Sequence, residues 1–332
     1  MAGSATILGC LGPRLGRDEA AFFRDADPWG FILFARNVED PEQLRRLTGD
    51  LRAAVGRDAV VMVDQEGGRV QRLRAPHWRE WLPPLEQMAR GGAAAMRLRA
   101  QLIALELRDV GIDSDCAPVL DIASELTHPF LKNRCYGTDL ASVIAGGRAV
   151  VEGLTAGGVL PVMKHMPGHG RATGDTHKDL PTVEASLEDL RETDFAAFRA
   201  FRDLPMAMTA HIAFPALDPE HPATQSAKAL RIIREETGFD GLLISDDLNM
   251  EALKGSLAER AGASIAAGCD IALQCNGKRA EMEQVVTAAG SLTPAAAARA
   301  AAALACRRPP EPVDRAALSA EFEAMTKASD HG

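Results

Sequence analysis

The chain has 332 residues, with 37 Lys and Arg against 46 Asp and Glu, a formal charge of −9, and 46% hydrophobic residues. That composition excludes a disordered, collagen-like or disulfide-scaffold protein, and an acidic balance without a basic cluster argues against nucleic acid or an anionic membrane as partner. No run approaches the ~20 apolar residues needed to cross a bilayer.

Short apolar runs alternate with longer amphipathic ones along the chain. The opening MAGSATILGCLGPRLGRDEA has no Lys or Arg ahead of its apolar part, so it reads as a first strand over Thr6–Leu11, not a signal peptide. A second strand follows over Gly30–Phe34. The stretch Glu42–Val55 then places Leu44, Leu47, Leu51 and Val55 on one helical face, with Asp40 suited to cap it, Pro41 to its first turn and Gly56 to its end. Further strands are expected over Ala59–Val63, Ser114–Val119, Val159–Lys164, Met206–Ala210, Gly241–Ser245 and Ile271–Gln274. The tail reads as an Ala-rich helix over Thr293–Cys306, a break at RRPPEPVD, and a last amphipathic helix over Arg315–Lys327. Ser329–Gly332 is expected to be disordered.

Eight strands interleaved with helices point to a parallel α/β protein, either a (β/α)8 barrel or a doubly wound sheet. Polar residues at the strand ends decide between them. VVMVD ends at Asp64, LPVMKH at His165, MAMTAH at His211, LLISDD at Asp246 and Asp247, and IALQCN at Asn276. A barrel gathers every strand end around one mouth, whereas a doubly wound sheet works at one crevice and often carries a Gly-rich first turn. No GxGxxG follows the first strand, so the expected fold is a single TIM-type barrel over 1–332, with a helical C-terminal extension over about 280–328. The six cysteines are scattered without a CxxC pair, which fits free thiols in a reducing, cytoplasmic setting.

Three segments carry chemistry. KHMPGHGRATGDTHKDLP, Lys164 to Pro181, is a glycine- and proline-rich loop holding His165, His169, Asp175 and His177. Its histidines could bind a metal, but Pro167 and Gly168 prevent the helix on which His165 and His169 would share a face, and no HExxH is present. Alternatively Asp175 and His177 form a proton-transfer dyad, the carboxylate fixing the imidazole tautomer. GLLISDDLNM sends Asp246 to the barrel mouth as nucleophile, metal ligand or cap, while Asp247 is the better cap for a helix beginning near Leu248. VVMVDQEGGRVQRLR joins Asp64 to Arg69, Arg72 and Arg74, either as a platform for hydroxyls or as a structural Asp64–Arg72 salt bridge. Arg134, in LKNRCYG, lies in an apolar neighbourhood. No P-loop, GxSxG elbow or Cys–His nucleophile is present.

The motifs DQEGGRV, KHMPGHG with DTH beginning eleven residues after Lys164, and SDDLNM resemble those of glycoside hydrolase family 3, over about Gly30 to Asn276. More narrowly they resemble its bacterial cytoplasmic β-N-acetylglucosaminidases of peptidoglycan recycling. The resemblance implies a β-N-acetylhexosaminidase that removes a terminal, non-reducing N-acetylglucosamine with retention of configuration. It implies Asp246 as nucleophile, His177 as general acid and base oriented by Asp175, and Asp64, Arg72, Arg134, Lys164 and His165 as sugar-binding residues. The leaving group would be a 1,6-anhydromuramic acid, with or without its peptide. No metal or cofactor is expected, and the absence of a long exposed apolar stripe suggests a monomer. Two other chemistries on this barrel are transfer of the sugar to phosphate and metal-assisted hydrolysis through His165, His169 and His177.

Overall fold

A computed structural model describes residues 3–174 and 180–328. Eight parallel strands close into a barrel: β1 Ser4–Gly9, β2 Pro28–Leu33, β3 Val60–Val63, β4 Ser114–Asp115, β5 Leu160–Met166, β6 Met206–Thr209, β7 Leu242–Asp247 and β8 Ile271–Gln274. Each pairs with its neighbours in chain order, and β8 closes on β1 through Thr6–Ala272 and Leu8–Gln274. This is the expected (β/α)8 architecture, with one strand at each of the eight apolar runs and bounds that differ by a few residues.

Strand parity divides the core. Ile7, Ile32, Val60, Met62, Val162, Met208, Ile244 and Leu273 fill the barrel interior. Their neighbours Leu8, Phe31, Leu33, Val61 and Val63 face outward into a cluster with Leu44, Leu47 and Leu51 of the helix Pro41–Val55. Both faces of these strands are therefore buried, which is why they read as continuous apolar runs without alternation. That helix is capped as its residues suggest. The Asp40 side chain accepts the Gln43 N–H, Pro41 takes the first turn, and Gly56 ends it at φ +65.

The fourth strand is shorter than the apolar run Ser114–Val119. The regular ladder ends at Asp115, and a little further on Pro118 has no N–H to donate to a neighbouring strand. The chain still runs beside β5, with Val162 N–H donating to Ala117 O at 2.9 Å and Lys164 N–H to Pro118 O at 3.0 Å. After β6 the loop holds a small antiparallel pair, Ala213–Phe214 with Asp218–Pro222, that the apolar pattern does not signal.

The tail forms the helices Pro294–Ala305 and Arg315–Ala328. Ala300 and Ala303 of the first share a cluster with Trp29, Leu160, Met206 and Leu242 near the strand starts, so small side chains close the barrel bottom. The second packs on the helix Gly92–Asp109, with the Phe322 ring 5.5 Å from Trp81. Ser329–Gly332 lies outside the described residues. Five cysteines are buried, Cys306 is exposed, and all are free thiols. Among the described residues, no helix is long and apolar enough to cross a membrane.

Candidate active site

At the C-terminal ends of the strands lies a cavity of about 250 Å³ whose walls include Asp64, Arg72, Arg134, Lys164, His165 and Asp246. Six of the eight residues that the resemblance assigns to the site thus meet in one place. Asp175 and His177, the other two, lie outside the described residues. The strands deliver Asp64, Lys164, His165 and Asp246 directly, whereas Arg72 and Arg134 come from loops.

Local backbone chemistry brings Arg72 back to the strand it left. Gly67 and Gly68 adopt φ +100 and +59. A Cβ on Gly67 would fall 2.8 Å from the Leu82 carbonyl, so this close turn requires glycine. The Gln65 side chain then accepts the N–H groups of Arg72 at 2.9 Å and Leu73 at 3.1 Å, folding the loop onto itself. Arg72 Nη2 consequently donates to Asp64 Oδ2 at 2.9 Å.

Around this pair the cavity wall is a lattice of ions. Lys164 is 1% exposed, and its Nζ donates to Asp64 Oδ1 at 2.7 Å and to Glu66 Oε1 at 2.6 Å. Arg134 grips Glu66 with two bonds of 2.8 Å, Nε to Oε2 and Nη2 to Oε1. Burial alone would raise both carboxyls, but Lys164 and Arg72 hold Asp64 far below the ordinary carboxylate range, and Arg134 and Lys164 hold Glu66 at about 2. Asp64 and Arg72 are therefore both a salt bridge and part of the cavity wall; the two sequence readings are compatible. Glu66 lies inside the DQEGGRV motif, yet sequence reasoning did not single it out.

Behind His165 stands Asp121, a second residue the sequence reading passed over. His165 Nδ1 lies 2.7 Å from Asp121 Oδ2, and the backbone N–H of His169 donates to Asp121 Oδ1 at 2.6 Å. Burial opposes ionisation of Asp121, but His165 outweighs it and keeps the carboxyl below its usual range. The ionised Asp121 accepts a hydrogen bond from His165 Nδ1–H, which leaves His165 Nε2 facing Arg134 Nη2, 3.4 Å away. His169 is buried beside it, with ring centroids 5.6 Å apart, and burial with His165 lowers its pKa to about 4. Among the described residues, no group of three or more His, Cys, Asp or Glu is arranged to hold a metal ion. The third histidine of the metal reading, His177, is not among them.

On the facing wall β7 carries Asp246 and Asp247, both half-buried. Burial would raise the Asp246 pKa, but His165 and then His211 overcome it, so the carboxyl is held ionised. Asp246 Oδ1 accepts the Asp247 N–H at 2.8 Å. Asp247 differs, since burial pushes it up to about 6. It also does not cap a helix near Leu248. Its Oδ1 accepts N–H groups from Asn249 at 3.1 Å and Cys275 at 3.2 Å, joining the turn after β7 to the end of β8. The next helix begins at Leu257, where Ser256 and Glu259 form a reciprocal capping box. His211 is wholly buried after β6, with Nε2 donating to the Asp247 carbonyl at 3.1 Å.

Fold and site define a class: a barrel whose mouth pairs salt-bridged hydrogen-bonding groups with a further ionised carboxylate, Asp246, suited to a neutral, hydroxyl-rich ligand. Comparison with known proteins gives that class a family. The family model described as Glycosyl hydrolase family 3 N terminal domain matches residues 13–305. A beta-hexosaminidase of Methylococcus capsulatus is 38% identical over 274 residues, covering 80% of this chain and 81% of that one. One from Pseudomonas aeruginosa is 38% identical over 290 residues, covering 85% of each. The crystal structure of NagZ from Neisseria gonorrhoeae in complex with N-trifluoroacetyl-D-glucosamine superimposes with a TM-score of 0.84 at 29% identity, over 99% of this chain and 98% of that one. The chain belongs to glycoside hydrolase family 3 and is a glycoside hydrolase.

Proposed function

We propose that the protein is a retaining exo-β-N-acetylglucosaminidase that removes terminal, non-reducing N-acetylglucosamine. The observation carrying this reading is Asp246, a carboxylate held ionised in the wall of a cavity whose Arg72, Arg134 and Lys164 are already salt-bridged. With Oδ1 bound to the Asp247 N–H, Oδ2 is the oxygen that attacks the anomeric carbon. As that bond forms, the bond from the anomeric carbon to the leaving oxygen breaks, and His177, oriented by Asp175, donates its proton to that oxygen. In the second step His177 takes a proton from water, whose oxygen displaces Asp246. Asp64, Arg72, Arg134, Lys164 and His165 hold the sugar by its hydroxyl and acetamido oxygens.

The likeness to beta-hexosaminidases, and to a structure in complex with N-trifluoroacetyl-D-glucosamine, supports the acetamido sugar as the substrate unit. We read the leaving group as a 1,6-anhydromuramic acid with or without peptide, and the whole chain as one catalytic domain acting as a cytoplasmic monomer. Free cysteines fit that compartment. Water is favoured over phosphate as acceptor because Lys164, Arg72 and Arg134 are each engaged by a carboxylate.

Hydrolysis of paired aryl β-glycosides, the N-acetylglucosaminide against the glucoside, tests the reading in EDTA buffer with and without phosphate. Preference for the acetamido sugar, unchanged by EDTA or phosphate, supports it. A sugar phosphate formed only with phosphate reassigns the enzyme as a phosphorylase, and loss of activity in EDTA reassigns it as metal-dependent.

A further inference from the structure

The chain leading from β5 toward Asp175 and His177 is fastened by groups that the sugar-binding cavity does not use. Gly168 has φ +136, and a Cβ there would lie 2.6 Å from a carboxylate oxygen of Asp194, so only a bare Cα seats against that side chain. A Cβ on Gly170 would fall 2.0 Å from the Ile122 carbonyl, while the Thr127 hydroxyl donates to the Gly170 carbonyl. Arg171 completes the clamp. Its Nε donates to Asp194 Oδ2 at 2.7 Å and its Nη2 to Thr193 Oγ1 at 2.9 Å. Asp194 is 3% exposed and begins a short helix, Asp194–Arg199, whose Phe195 and Phe198 are buried. Past the segment 175–179, the chain is held through backbone bonds, Val183 N–H to Ala213 O at 2.9 Å and Ala213 N–H to Pro181 O at 3.0 Å.

We infer that the Arg171–Asp194 ion pair is the anchor from which the segment bearing His177 is aimed, so that both are positioning residues for proton transfer to the leaving group. The inference rests on the proposed role of His177. Arg171 precedes Asp175 by four residues and His177 by six, so an error in its direction passes along a short tether. A planar guanidinium bonded through two nitrogens fixes direction as well as distance, which a lysine ammonium does not. Asp194 in turn needs a cation, because a buried carboxylate without one is costly. Neither residue lines the cavity that holds Asp246.

The test compares Arg171→Ala, Arg171→Lys and Asp194→Asn with His177→Ala on aryl β-N-acetylglucosaminides of graded leaving-group acidity, in the full-length protein. Misplacing a catalytic group by 1 Å costs ~10²-fold. We expect Arg171→Ala to lose about that factor in kcat on poor leaving groups and only about two-fold on activated ones. Arg171→Lys should recover part of the loss. Combining Arg171→Ala with His177→Ala should cost nothing beyond His177→Ala on poor leaving groups. Equal losses across the series, or losses that add in the double variant, would overturn the inference and leave the pair a structural tie. If Arg171→Ala does not fold, Arg171→Lys and Asp194→Asn carry the same comparison. A flat series for His177→Ala itself would remove the acid assignment, and the inference would fall with it.

Discussion

Glu66 offers the sharpest test of the ionic lattice, because its side chain is 1% exposed and meets two cations through three bonds. Glu66→Gln keeps the shape and one acceptor oxygen but presents an NH₂ to groups that can only donate. Separating a buried ion pair from one partner costs ~3–5 kcal/mol. Linkage gives a similar figure, since burial opposes ionisation but Arg134 and Lys164 pull the carboxyl from 4.5 to about 2. A displacement of that size is about 3 kcal/mol. Unfolding entropy near 2.1 cal/mol/K per residue amounts to roughly 0.7 kcal/mol/K for a chain of this length, so the midpoint should fall by about 4 °C at neutral pH. The sign of the pH dependence is set by the depressed pKa. The Glu66 contribution is complete above about 4.5 and fades as pH falls toward 2, so the two melting curves should converge in acid. Because Arg134 and Lys164 would lose their alignment, kcat/KM on the acetamido glycoside should drop by ~10²-fold. Melting within about 1 °C of the parent at pH 7, together with unchanged kcat/KM, would refute the claim that Glu66 organises the site.

Asp246→Asn should abolish the glycosyl-enzyme; a fluorosugar adduct trapped on that variant and seen by intact-mass spectrometry would remove Asp246 as nucleophile. His177→Ala should slow substrates with poor leaving groups by ~10²–10⁴-fold and spare activated aryl glycosides, read from the slope of log kcat against leaving-group pKa. Asp115 accepts the Gln65 N–H at 2.9 Å, and burial raises its pKa to about 7. Its raised folded pKa means that its ionised form costs stability above about 7 and that this cost is relieved as pH falls toward 4. Asp115→Asn should therefore be more stable than the parent at pH 8, by up to about 4 kcal/mol, with the gain, read from calorimetric scans, shrinking toward pH 4.

The barrel was legible because its signal is local. Each parallel strand is buried on both faces, so residues such as Val60–Val63 and Leu242–Ile244 are apolar without interruption, and Asp64 and Asp246 stand out where the run stops. The helix Pro41–Val55 carries its own start and stop in Asp40, Pro41 and Gly56. Where a neighbouring residue decides the outcome, the apolar pattern misleads. Ser114–Val119 looks like six residues of strand, but the regular ladder ends at Asp115, and Pro118 beyond it has no N–H to donate. Asp247 looks like a cap, but the start signal that operates is the capping box of Ser256 and Glu259 nine residues later.

Glu66 and Asp121 were missed for a different reason. Neither ends a strand, and what each does depends on which distant side chain the closed barrel presents to it. Glu66 meets Arg134 across 68 residues, and Asp121 meets His165 across 44. A carboxylate two residues beyond Asp64 in the same motif was nonetheless a discoverable partner, given that Lys164 and Arg134 were already expected at the mouth. A site with three expected cations around a neutral sugar needs more than one carboxylate to balance them, because unpaired buried charge is costly. Counting charges at the mouth would have required a third acid beside Asp64 and Asp246. Of the acidic residues nearby in the sequence, Glu66 is the one that the Gly67–Gly68 turn leaves buried beneath the cavity instead of turning it out to solvent.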